Sequence, residues 1–194
     1  MLTKHKYLIT YRYAEMIHDL TVVFCQKYLS YLGNLGNLRE IPQRRTIDQM
    51  VQAARSGKQN IVEGVGQSRT SKKGEIKLLG VAEASIEELI TDYEDFLRQR
   101  KLPIWPKTHP KIQAFRKRAA FLTNLGNLGH LGDLKVKPVL PDQPEAAANL
   151  MLTLCHMATY LLSKQIAKAE TQFVESGGYT ENLFKKRIQS KIQK

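Results

Sequence analysis

The residues with the most chemistry to offer in this chain are its cations. Lysine and arginine number 30 against 18 aspartates and glutamates in 194 residues, a net charge of +12. Such a balance points to a polyanionic partner, nucleic acid first and an anionic membrane surface second. The charges are also grouped. One basic set is Arg44, Arg45, Arg55, Lys58, Arg69, Lys72, Lys73 and Lys77. A second runs from Arg98 to Arg118 without an acidic residue and contains Arg100, Arg116, Lys117 and Arg118. Glu83, Glu87, Glu88, Asp92, Glu94 and Asp95 form an acidic block between them. Segregation of sign from end to end favours phosphate binding over an ordinary solvated surface. The cations of both sets read as having no interleaved aromatics, so their contacts are expected to read phosphate and shape rather than bases.

Catalysis finds little support in the same residues. The chain has no GxxxxGK[ST], HExxH, GxSxG or CxxC pattern. His5, His18, His109, His130 and His156 are scattered, and His156 sits in an apolar stretch where a satisfied core histidine is the ordinary occupant. Glu87 and Glu88 are adjacent, so on a helix they point about 100° apart and make a poor carboxylate dyad. The expectation is a protein that is not an enzyme and needs no metal or cofactor. Cys25 and Cys155 fall on apolar helix faces and read as reduced core residues of a cytoplasmic protein. The N-terminal MLTKHKYLITYRYAE lacks the apolar core of a secretory signal. The uncharged stretch 146–163 reads as a buried helix rather than a membrane span.

Helices must hold these groups, because no segment alternates with period two for long enough to be a strand. Residues 7–31 form a first helix on the recurrence of Leu8, Tyr11, Ala14, Ile17, Leu20, Phe24 and Tyr28. The second spans 46–66. The third spans 71–100, capped by Ser71, with Leu79, Ala82, Ile86, Leu89, Ile90, Tyr93, Phe96 and Leu97 facing the core. The fourth spans 145–176, opened by a capping box of Asp142 and Glu145 and closed by Gly177 and Gly178. Residues 32–45 and 101–143 are loop insertions, with a short basic helix expected over 107–122. Both hold a repeated Asn-Leu-Gly triplet, which reads as surface connection. Residues 178–194 form a basic tail with Leu183, Phe184, Ile188 and Ile192 on one side. The simplest assembly is an all-α, antiparallel up-down-up-down four-helix bundle with a long third connection and a C-terminal helical tail.

The second helix has two faces of different kinds. Ile47, Val51, Ala54, Ile61, Val62 and Val65 make an apolar arc, with Lys58 inside it as a snorkelling lysine. A line of small residues, Ala53, Gly57, Asn60 and Gly64, reads as the opposite side. Glycine inside a helix costs about 1 kcal/mol against alanine, so a line of this kind implies close backbone approach by a neighbour. The expected neighbour is a second subunit.

The text of this helix also carries a resemblance. SGKQNIVEGVGQSR (56–69) resembles the signature S-I-P-x-N-I-A-E-G, followed by a basic residue, of the four-helix-bundle proteins encoded in intervening sequences of ribosomal RNA. Ser56, Asn60, Ile61, Glu63, Gly64 and Arg69 match it; Gly57, Lys58 and Val62 depart from it. ASIEEL (84–89) is similar to the family's G-S-L-x-E-L, with Ala84 in place of glycine. The same group includes the accessory variability determinant of diversity-generating retroelements, and GGYTENLFKKR (177–187) resembles the suffix of a longer variety. The resemblance implies a basic homo-oligomeric ring, a pentamer, that binds RNA or an RNA–DNA hybrid and a reverse transcriptase. The alternatives are an intervening-sequence protein binding structured RNA, and a protein-interaction scaffold whose charge is incidental.

Overall fold

The computed structural model describes residues 3–29, 40–130 and 132–192. Those residues are mostly helical, with α1 Ile9–Phe24, α2 Glu40–Gln67, α3 Lys72–Gln99, α4 Pro110–Leu122, α5 Pro144–Ser176 and α6 Tyr179–Ile192. Among the described residues there is no strand, only an isolated bridge between Leu128 and Leu134. The first five helices pack together.

Cross-helix contacts give the directions. His18 meets Lys58 and Cys25 meets Met50, so α1 and α2 run antiparallel. Ser56 meets Ser85, while Gly64 faces Glu75 and Leu79, so α2 and α3 are antiparallel as well. Thr10 bonds Gln165 and Tyr28 bonds Pro141, which sets α5 antiparallel to α1. The core lies between these four helices. Phe24 packs edge-on to Tyr93 and Phe96, with centroids 5.0 and 4.8 Å away. The Tyr93 hydroxyl, fully buried, is satisfied by Thr21 at 2.9 Å. Cys25 and Cys155 are both buried in this core and are not joined by a disulfide.

Ser71 caps α3 as its residue type demands, accepting from the Gly74 amide at 3.0 Å. At the far end Lys101, at φ 56°, turns the chain left-handed while the Leu102 amide reaches the Leu97 carbonyl. This is a Schellman ending built on lysine where glycine is the usual choice. It stops α3 before Pro103 does.

Several boundaries differ from the sequence reading. α2 begins at Glu40, so 40–45 is helix rather than loop. Pro42 is tolerated because amides of a first helical turn have no partner inside the helix. α1 passes through a π-turn over Cys25–Leu29; Tyr31, the loop 32–39 and the first Asn-Leu-Gly copy lie outside the described residues. The expected capping box at α5 does not form: the cap is Gln143, without a side-chain bond. Asp142 instead pairs with Lys27 at 2.7 Å, and Glu145 accepts from the indole N–H of Trp105. The short basic helix expected over 107–122 does form, as α4, starting at Pro110 and burying Ile112, Ala119 and Leu122. α5 and α6 together are long and apolar enough to cross a membrane, yet 67% of the apolar window is buried within the protein.

The small-residue line of α2 needs the largest correction. At 100° per residue it lies about 110° from the apolar arc rather than opposite it. Ala53, Gly57 and Gly64 are buried, and α3 of the same chain covers Gly57 and Gly64. A Cβ on Gly57 would stand 3.0 Å from Ile86 Cγ1, and one on Gly64 3.4 Å from the Glu75 carbonyl. Asn60 turns its amide back onto Ser56, donating to its carbonyl at 2.9 Å and its hydroxyl at 3.1 Å. The close approach inferred from the glycines is met within the chain, by α3.

Candidate nucleic-acid interface

A polar cleft opens at the end of the bundle where the α2–α3 turn meets the junction of α5 and α6. Ser68, Arg69, Lys72, Gln172, Ser176, Gly177, Tyr179 and Asn182 line its ≈ 340 Å³. Gly177, at φ +70°, ends α5 and lets α6 start beside that turn. Arg69 stands in solvent at the cleft. Lys72 is held by Glu75 at 2.7 Å, with both side chains mostly covered, so its charge is already partly spent. Tyr179 is half exposed and offers a ring beside these cations. Cation, hydroxyls, amides and one aromatic face suit a phosphate with an attached base.

Lys73 and Lys77 continue from the cleft along the exposed side of α3. Arg55 is exposed midway along α2, and Arg44 and Arg45 are exposed near its other end. From Arg44 to the end of α2 at Gln67, just before Arg69, the helix rise alone covers roughly 35 Å. The first basic set therefore extends over the whole length of the bundle instead of forming one pocket. Lys58 leaves the set altogether, because its ammonium lies 3.2 Å from His18 Nδ1 in the α1–α2 contact.

Arg44, Arg45, Arg98 and Arg100 come together only in part. The α2–α3 register does bring 44–45 to the level of Phe96 and Leu97. Arg98, however, bonds Asp95 at 2.7 Å. Arg100 lies over the Phe96 ring at 3.9 Å and donates to the Tyr28 carbonyl, and burial lowers its pKa. Both guanidiniums complete local structure.

Arg116, Lys117 and Arg118 form a separate surface. α4 packs against α5, and Arg118 shares an apolar crevice with Met16, Leu20, Leu150 and Leu154, so the trio belongs to the α1–α5 side. All three are exposed, and the Arg118 guanidinium stands 5.7 Å from the ring of Phe121, itself 53% exposed. An aromatic does accompany the cations here, against the expectation, because Phe121 follows Arg118 by three residues and shares its face of α4. The contributions of Gln172, Ser176, Tyr179 and Asn182 were not legible, since they lie about a hundred residues from Arg69 in the chain. Among the described residues no group of three His, Cys, Asp or Glu is placed to hold a metal ion.

The chain matches no protein-family model, no curated protein and no solved structure.

Proposed function

We propose that this protein is a non-catalytic, cytoplasmic nucleic-acid-binding accessory that works as a homo-oligomer and grips RNA by its phosphates. One observation supports it most. Arg55, Arg69, Lys73, Lys77, Arg116, Lys117 and Arg118 all stand in solvent, whereas Lys27, Lys72 and Arg98 are engaged in ion pairs. Cations without carboxylate partners keep their counterions until a polyanion displaces them, and that release drives binding. The fold behind this reading is an up-down-up-down bundle of α1, α2, α3 and α5, with α4 as a fifth, accessory helix. The pairwise antiparallel contacts favour it. In the version the family resemblance implies, the oligomer presents template RNA to a reverse transcriptase.

The test is binding of a structured RNA and a duplex DNA of matched length across a salt series. Two charge-reversed chains are compared with the parent: Arg69→Glu, Lys73→Glu, Lys77→Glu, and Arg116→Glu, Lys117→Glu, Arg118→Glu. Each triple is expected to flatten the log–log salt slope by about 2–3, at roughly 0.7 per phosphate contact on a single strand and 0.9 on a duplex. Unchanged slopes and affinities for both variants would show that these cations only solvate the surface.

A further inference from the structure

α6 makes no use of its own bundle. None of its residues is buried, and Phe184, Ile188 and Ile192 are 61%, 42% and 77% exposed. At steps of four these three make one apolar stripe. Lys185 flanks it on one side, with Arg187 and Lys191 on the other. The stripe is about 12 Å long at 1.5 Å per residue.

A groove of matching form lies between α2 and α3. It is an open groove of ≈ 990 Å³ in which Val51 and Ala53 are the apolar lining beside Gln49, Gln52, Ser56 and Ser85, with acids on both walls: Asp48 from α2, Glu88 and Asp92 from α3. From Asp48 to Ser56 it too is about 12 Å long. Its acids would repel nucleic acid, so it lies outside the proposed RNA surface. Burial holds the Asp92 carboxyl above the usual range, and Glu88 and Asp95 add repulsion, so an arriving cation would relieve the site.

We propose that α6 of one copy docks in the α2–α3 groove of a second copy, its apolar stripe on the floor and its flanking cations against Asp48, Glu88 and Asp92. The inference rests on the homo-oligomeric reading above and names its surfaces. Docking in the same chain fails on length. α6 starts beside the α2–α3 turn, and Ser56 lies about 17 Å along α2 from Gln67. Folded back, Phe184 at about 8 Å into α6 stops some 9 Å short of the groove and only Ile192, at about 20 Å, passes its near edge, so most of the stripe would miss it. Docking in trans is a heterologous contact, tail to groove, which closes into a ring or runs on as a chain of copies.

The test is mass by light scattering on three full-length variants, with helicity checked by circular dichroism. The tail variant is Lys185→Glu, Arg187→Glu, Lys191→Glu. The groove variant is Asp48→Lys, Glu88→Lys, Asp92→Lys. The third chain carries both sets. Each single set is expected to reduce the oligomer to the 22.1 kDa of one chain, and the combined set to restore it, because the swapped charges pair again. Single sets that keep the parental mass overturn the proposal, as does a combined chain that stays monomeric. Loss of RNA binding by the tail variant at unchanged mass reassigns α6 to the RNA and also overturns it. A parent chain that is monomeric while binding RNA removes the self-association beneath the proposal and leaves the phosphate reading standing.

Discussion

Three helical glycines allow the α2–α3 seam to be measured directly. Gly80 has nothing within 4 Å of where a Cβ would sit. Gly80→Ala is therefore expected to gain the full helix preference of alanine, about 1 kcal/mol. Gly64→Ala places its methyl 3.4 Å from the Glu75 carbonyl and 3.5 Å from Leu78 Cβ, an ordinary contact. It should gain slightly less. Gly57→Ala brings the methyl to 3.0 Å from Ile86 Cγ1, and Ile86 is itself only 1% exposed and has little room to yield. Crowding of this kind costs about 1–3 kcal/mol against the same gain of about 1, so the net change is zero to about 2 kcal/mol of lost stability. Urea unfolding by far-UV circular dichroism reads all three from midpoints at constant slope. At this chain length 1 kcal/mol is roughly 2–4 °C in Tm. The expected order is Gly80→Ala above Gly64→Ala, with Gly57→Ala at or below the parent. A Gly57→Ala chain about 1 kcal/mol more stable than the parent would refute the packing of Ile86 against that position. If its oligomeric mass also fell, the seam would belong to a subunit contact after all.

Lys101→Gly should stabilise by about 1 kcal/mol in the same assay, since glycine meets φ 56° without a Cβ penalty. Arg12 is 4% exposed and donates to the carbonyls of Thr123 and Lys6, so Arg12→Met strands two buried acceptors. A loss of about 2–4 kcal/mol is expected, and a change under 0.5 would count against this anchor between α1 and the end of α4. The Asp92 carboxyl is raised in the fold by burial, so its ionised form opposes folding. That penalty is present above the folded pKa and vanishes as pH falls below the unfolded value near 3.8. Asp92→Asn should accordingly raise Tm at pH 7 and leave it unchanged at pH 3. Burial pushes the Cys25 thiol up to about 12 and raises Cys155 too, so neither should alkylate at pH 7.5 faster than the chain unfolds.

The sequence by itself determined the helices that have one apolar face. Period 3.6 placed Leu79, Ala82, Ile86, Leu89, Tyr93, Phe96 and Leu97 of α3 on one side, and all are buried. Ser71 read as a cap and is one. Two glycines in α2 implied close approach by some backbone. Periodicity describes the angles within one helix, however, and is silent on which partner each face meets. Only the packed structure decided that α3 fills the Gly57–Gly64 line, that Lys58 turns to His18, and that Arg98 and Arg100 are engaged locally. The same holds for the cleft joining Arg69 to Tyr179, whose residues meet because Gly177 turns the end of α5 back beside the α2–α3 turn. Charge is a property of the residue and was countable from the text. Which charges remain for a partner depends on distances across the fold, and those come from packing.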